Sequence, residues 1–320
     1  MISIVIPYYQ RTPGILARAL ASVAAQRGCP MPIHLIVVDD ASPAPAEPEI
    51  SAVMFPADSI TLVRQPNAGA GAARNAGLDR APKTTRYIAF LDSDDEWSPD
   101  HLAHAAAALG SGYDFYFADH HQLGQTTSAF ARAARIRPDH HPTLENLPDG
   151  LHAYQGDMFD QIIRGNPIGT STVVYDFARH AAQRFKVEFT NAGEDYLFWM
   201  QLVRRGARIA FSSRSQAQYG KGVNIYSGSG WGSENHLLRL HDELRYRKVT
   251  AELFPLTPLQ RTYIRSSVRT LRVAFIRDLL HRVAHRKKMP LKILRSQLGM
   301  DPWTFGQAPL IALQLLMGIR

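Results

Sequence analysis

Short apolar runs, each closed by polar or charged residues, punctuate the first third of the chain. Residues 2–6, 33–38, 60–63 and 87–91 have the length and β-rich composition of strands buried in a parallel sheet. Helical patterns fall between them. Thr12 is placed to cap a helix with Pro13 at its first position, with Leu16, Leu20 and Val23 as its apolar stripe and Gly28 as its stop. Residues 43–48 read as a proline-rich loop. Asn67 to Asn75 opens an alanine-rich helix, and residues 99–109 form another. This alternation predicts βαβ units, hence an α/β fold with a mostly parallel central sheet flanked by helices.

The middle is less regular. Strands are predicted at residues 113–118 and 172–175, and the His- and Pro-rich gap between them is long enough to hold a helix and a functional loop. Gly193-Glu194-Asp195 precedes a helical run around Leu197, Trp199 and Met200 that Gly206 stops, and a strand follows at 207–211. The glycines and serines of residues 221–235, around Tyr226 and Trp231, predict a mobile loop. Beyond it lie long basic helices, in which Ile264, Val268, Leu271, Phe275, Leu279 and Val283 make an apolar stripe among arginines. Two readings stay open for this stripe. It packs on the main domain, or it lies on anionic lipid, where each basic residue adds about 1 kcal/mol. The expected division is therefore 1–235, with halves 1–110 and 111–235, and a basic helical extension over 236–320.

Composition narrows the class. In 320 residues, 45% hydrophobic and 20% charged side chains describe a globular chain, not a disordered one. The single cysteine, Cys29, excludes an internal disulfide framework and fits a reducing compartment. The amino terminus lacks the basic region of a secretory signal, and the apolar run at 309–319 is too short to span a bilayer. A cytoplasmic protein is expected. A net charge of +8 points to an anionic partner.

The candidate chemistry gathers at strand ends, where open α/β sheets bind ligands. Residues 87–91 run into Asp92, Ser93, Asp94, Asp95 and Glu96. Carboxylates this close disfavour each other's ionisation, and a hard dication would relieve the strain. A solvated acidic turn is the alternative. If the ligand is a nucleoside diphosphate, Asp40 can accept the N3–H of uracil, and Tyr8 and Tyr9 can offer a stacking face. Gly69 and Gly71 would let backbone approach the ligand, Arg74 would supply charge for phosphate, and Asp94 would hold the metal. The glycines do not make a dinucleotide fingerprint. Arg74 stands where its third glycine belongs, and the first strand ends in Pro7-Tyr8-Tyr9.

Five segments in order resemble the family 2 glycosyltransferases with the GT-A fold. They are Val5-Ile6-Pro7-Tyr8-Tyr9, Val37-Val38-Asp39-Asp40-Ala41-Ser42, Asn67-Ala68-Gly69-Ala70-Gly71-Ala72-Ala73-Arg74-Asn75, Phe90-Leu91-Asp92-Ser93-Asp94-Asp95 and Gly193-Glu194-Asp195. The resemblance covers roughly residues 1–235. It implies an inverting transfer from a nucleotide-diphosphate sugar with Mg²⁺ or Mn²⁺. Carried over by position, it implies Tyr9 stacking on the base, Asp40 binding it, Asp92 near ribose or sugar, Asp94 on the metal and Asp195 as catalytic base. Pro7, Tyr8, Asp39, Asn67, Gly71, Arg74, Ser93 and Glu194 complete the implied donor site. Gln201 to Gly206 departs from the Gln-x-x-Arg-Trp motif of processive synthases, which implies transfer of a single sugar. Pro7-Tyr8-Tyr9-Gln10 and the basic tail are similar to bacterial exopolysaccharide glucosyltransferases of the succinoglycan type. That likeness implies UDP-glucose as donor, a lipid-linked oligosaccharide acceptor and an anionic membrane surface as partner, on the inner face of the cell membrane. Two other classes remain. A regulatory protein on a degenerate transferase scaffold would lose the base, yet Asp195 is present. A nucleic-acid-binding module would need a motif that the chain lacks.

Overall fold

The computed structural model describes residues 1–56, 59–189, 193–222 and 230–317. Of the loop expected over 221–235, residues 223–229, Tyr226 among them, lie outside the described residues. The chain divides into two compact units, Met1–Thr190 with Glu194–Val223, and Asn191–Gly193 with Asn224–Arg320.

In the first unit the order is β1 (Ile2–Tyr8), α1 (Ile15–Ala24), β2 (Ile33–Asp39), α2 (Glu47–Ser51), β3 (Ile60–Arg64), α3 (Ala70–Asp79) and β4 (Tyr87–Phe90). Then come β5 (Glu96–Trp97), α4 (His101–Gly110), β6 (Phe115–His121), α5 (Ala129–Ala133), β7 (Leu151–Ala153) and α6 (Met158–Gly165). A 3₁₀ turn, Thr170–Thr172, leads into β8 (Val174–Asp176), α7 (Glu194–Arg204) and β9 (Ile209–Gln218). Among the described residues all nine strands form one sheet, ordered β3-β2-β1-β4-β8-β6-β9-β5, with β7 on β9. The strands β3, β2, β1 and β4 run parallel, as the sequence predicts. β8 runs antiparallel to both β4 and β6 and joins this half to the parallel pair β6 and β9. One sheet therefore carries both expected halves.

Strand parity sorts the core. Ile2, Ile4, Ile6 and Tyr8 share one face with Leu35, Val37, Tyr87 and Ala89, packed under Leu16 and Leu20 of α1 and Leu102 of α4. The opposite face is aromatic, with Phe90 against Phe185 and Phe198, and Phe115 against Trp199. Both faces are buried, which is why the strands read as unbroken apolar runs.

Several expected boundaries move. Thr12 does not cap α1; Gly14 does, with φ of 88°, a left-handed conformation that glycine adopts without steric cost. Gly28 lies beyond the helix, which ends at Ala24. The proline-rich loop shortens because Glu47 to Ser51 is helical, with Pro48 in its first turn. The gap before β8 holds two helices, α5 and α6.

The second unit is helical: α8 (Glu234–Leu253), α9 (Pro258–Ala284), α10 (Leu291–Met300), α11 (Trp303–Gly306) and α12 (Ala308–Leu316). Thr257 and Gln260 make a reciprocal capping box at the start of α9, with Pro258 at its first position. Ile264, Val268, Leu271 and Phe275 are buried, and Leu271 and Phe275 join Leu237, Leu240, Leu244, Ile293 and Ile311 in one core. This corrects the lipid-facing reading of the stripe: its apolar side is spent on neighbouring helices, and only its last member, Val283, is exposed. Part of the positive charge is tied inward as well. The buried Asp301 accepts from Arg272 at 2.6 and 2.7 Å and from Lys248 at 3.2 Å. Among the described residues no helix is long and apolar enough to cross a membrane.

Candidate active site

The parallel register brings the carboxyl ends of β1, β2 and β4 to one edge, with Tyr8 opposite Asp39 and Val5 opposite Phe90. The chain leaves this edge at Tyr9, Asp40 and Leu91.

At the β2 end the carboxylates are occupied by backbone. Asp39 accepts from the Ser42 N–H at 2.7 Å. Asp40 Oδ1 accepts from the Ala68 N–H and from Gln65 Nε2, both at 2.8 Å, and Oδ2 accepts from the Gly69 N–H at 2.9 Å. Asn67 donates to the Asp40 carbonyl. The side chain expected to read a uracil also clamps the loop entering α3. Tyr8 also departs from expectation. It is fully buried, donates to Glu49 at 3.0 Å, and burial and that carboxylate push its hydroxyl up to about 12. Strand alternation turns Tyr9 the other way, and it and Pro7 are half-buried at the edge.

At the β4 end the carboxylates face each other. Burial and then the charge of Asp92 push Asp94 up. Asp95 rises well above the usual carboxylate range through burial and through Asp92 and Asp94. Ser171 Oγ donates to Asp95 at 2.5 Å while accepting the Asp92 N–H at 3.0 Å, and the Gly220 N–H donates to Asp95 at 2.9 Å. Ser93 is buried and accepts from Gln10 Nε2 at 3.1 Å. The backbone leaving β9 presses on this turn. A Cβ on Gly220 would overlap the Asp94 carbonyl, and one on Gly222 would overlap its carboxylate.

Arg74 lies across the site. Its guanidinium is buried, 2.6 Å from Asp92 and 3.2 Å from Glu194. Burial opposes its charge, but Asp92 and then Glu194 outweigh that and raise its pKa. Arg74 is thus an internal bridge between β4 and α7, and the expected direct role on phosphate does not fit its partners. Gly71 makes room for that bridge, since a Cβ there would lie 3.2 Å from Glu194 Cγ. Glu194 is pushed up to about 7 by burial and by Asp195. Asp195, in the first turn of α7, is half-buried; its Oδ1 accepts its neighbour Tyr196's N–H at 2.8 Å and its Oδ2 accepts Thr170 Oγ1 at 3.2 Å. Burial raises its pKa, and Arg74 opposes the rise.

Among the described residues no group of three or more His, Cys, Asp or Glu side chains is placed to hold a metal. The donor set still suits a hard dication. Asp94 offers an oxygen destabilised by neighbouring negative charge, and Mg²⁺-type ions take one or two carboxylates and complete their shell with substrate phosphates and water. Sequence reasoning passed over Gln10, Thr170, Ser171 and Gly220. The run Thr170-Ser171-Thr172, three hydroxyls just before a strand, was the available signal.

A mixed sheet with acidic strand ends, and a carboxylate pair on a helix tied back to them, defines a GT-A glycosyltransferase. The fold is shared with the mannosyltransferase PcManGT of Pyrobaculum calidifontis, solved in complex with GDP-Man and Mn²⁺, at TM-score 0.54 and 18% identity over 100% of this chain and 88% of that one. It is shared also with residues 1–349 of S. aureus TarS in complex with UDP-GlcNAc, at TM-score 0.52 and 18% identity over 88% and 72% of the two chains. The family model Glycosyl transferase family 2 matches residues 3–161. The succinoglycan biosynthesis protein ExoW of Rhizobium meliloti (strain 1021) is 31% identical over 97% of both chains. The chain belongs to glycosyltransferase family 2.

Proposed function

We propose that the protein inverts an anomeric centre while moving one sugar from a UDP-sugar, with glucose the proposed sugar, to a hydroxyl of a growing, lipid-linked exopolysaccharide. The carrying observation is Asp195. Its half-buried carboxylate is fixed at both oxygens and sits beside Glu194, which Arg74 ties to Asp92 at the donor edge. Likeness over nearly full length to a succinoglycan biosynthesis protein supports the polysaccharide context.

In this mechanism Asp195 takes the proton of the acceptor hydroxyl as that oxygen attacks the anomeric carbon from the face opposite the diphosphate. The bond from that carbon to the diphosphate oxygen breaks, and UDP leaves with the electron pair. Burial strengthens Asp195 as a proton acceptor. Tyr9 offers its ring to the base, and Asp94 is the residue that would hold Mg²⁺ or Mn²⁺. Such an ion, when bound, neutralises charge building on the leaving diphosphate. Arg74 keeps Asp92 and Glu194 apart from each other's charge.

Asp195→Asn keeps the shape and cannot take the proton. Transfer is expected to fall about 10²–10⁴-fold with UDP-sugar affinity unchanged, as read by single-turnover transfer and by donor titration. Loss of donor affinity instead would make Asp195 a binding residue. Running the assay with UDP- and GDP-sugars tests the base, because the two structural neighbours hold different nucleotides.

The second unit supplies the proposed contact with an anionic membrane surface on the inner face of the cell membrane. Arg261, Arg265 and Arg269 are exposed at four-residue spacing along α9 and form one basic row. Replacing the three by Gln is expected to lower co-sedimentation with anionic vesicles, and salt is expected to weaken wild-type binding. Wild-type protein that ignores anionic vesicles at low salt would overturn this contact.

A further inference from the structure

The 3₁₀ turn Thr170–Thr172 stands between the two acidic clusters, and each of its hydroxyls has a separate engagement. Thr172 Oγ1 donates to the Gly169 carbonyl at 2.7 Å and accepts the Ala118 N–H at 3.1 Å, which fixes the turn to β6. Ser171 holds Asp95 and the Asp92 amide. Thr170 alone reaches the other side, donating to Asp195 Oδ2. The turn has no room to slide. A Cβ on Gly169 would overlap the Tyr219 hydroxyl and lie 2.8 Å from the His120 ring, and that ring stacks on Tyr219 with centroids 4.3 Å apart.

We infer that Thr170 is a positioning residue for the base of the transfer reaction, holding one carboxylate oxygen of Asp195 so that a free lone pair points at the acceptor hydroxyl. This rests on the reading of Asp195 as the base. The physics is that of a half-buried carboxylate with few donors. Asp195 has the backbone N–H of Tyr196 on one oxygen and the Thr170 hydroxyl on the other. Without Thr170 the second oxygen keeps no fixed donor among these contacts, and the side chain can rotate away from the attack line. The charged and titratable groups facing Asp195 are Arg74 from α3, Asp92 from the β4 end, Glu194 on its own helix and Tyr219 beyond β9. Of these only Arg74 is cationic, and it is already held by Asp92 and Glu194. A hydroxyl donor to the ionised form favours that form, so its loss moves proton uptake by Asp195 to higher pH.

Thr170→Val keeps the volume and removes the donor; Thr170→Ser keeps the donor. For Thr170→Val, kcat is expected to fall about tenfold to a hundredfold with the KM for the UDP-sugar unchanged. The acidic limb of the kcat profile is expected to move up by about one pH unit. Thr170→Ser is expected to restore both rate and limb. A wild-type rate and limb in Thr170→Val, with Asp195→Asn inactive, would overturn the positioning role and leave the base intact. Equal loss in Thr170→Val and Thr170→Ser, with KM rising and the limb unmoved, would make the residue structural and overturn the proposal as well. An active Asp195→Asn would instead remove the reading beneath it.

Discussion

The ends of β2 and β4 carry the same signature, an apolar strand running into paired aspartates, and the structure uses them in opposite ways. Asp39 and Asp40 are surrounded by donors: the amides of Ser42, Ala68 and Gly69 and the side chain of Gln65 converge on them. Asp94 and Asp95 also accept, from Gly222, Ser171 and Gly220, but they have more negative neighbours, and both are pushed up by burial and by nearby carboxylates. A saturated carboxylate holds the protein together. One crowded by other carboxylates also favours a cation. Acidic strand ends therefore do not by themselves mark chemistry, and the negative charge gathered around each one separates scaffold from site.

The sharpest way to break the comparison is Asp94→Ala. Transfer and metal-dependent UDP binding are expected to be lost altogether, with thermal unfolding unchanged or slightly later because a repulsive charge has gone. Full activity of the wild type in EDTA would remove the metal from the account. The smaller effect is expected at the other end. Asp40→Ala leaves three donors without their acceptor and is expected to cost about 2–3 kcal/mol in urea unfolding. The folded fraction is expected to transfer sugar within about tenfold of the wild type, because the site carboxylates are untouched. Unchanged stability with abolished donor binding would show that the β2 end is a ligand site after all, and the contrast between the ends would collapse.

Much of this was legible in the chain. Apolar runs of strand length, two of them ending in carboxylates, placed three strand ends on one edge, and the parallel register bears that out. The order of five short segments carried the family. What each carboxylate touches was not legible, because partners of Asp40 are backbone amides at Ala68 and Gly69, beyond α2 and β3 in the chain, and any residue type but proline supplies such a donor. Tyr8 and Tyr9 were separable in principle. Tyr8 shares the parity of Ile2, Ile4 and Ile6, so it belongs to their buried face, while its neighbour must turn away. Arg74 deceived for a physical reason: a positive side chain at a helix start suits phosphate, but here the nearer negative charges belong to the protein. In the second unit the three- and four-residue spacing fixed a helix with one apolar side. Periodicity cannot say whether that side meets lipid or other helices, and it meets helices.

The contact of Gly220 and Gly222 with Asp94 has one more consequence. These two positions lack side chains because backbone from one part of the sequence lies flush against the acidic turn from another. The wall they form meets the main chain of Asp94 at Gly220 and its carboxylate at Gly222. Over evolutionary time the two stretches are therefore not free to drift separately in volume. A methyl gained on one must be matched by a retreat of the other, so the acidic turn and the exit from β9 act as a fitted pair.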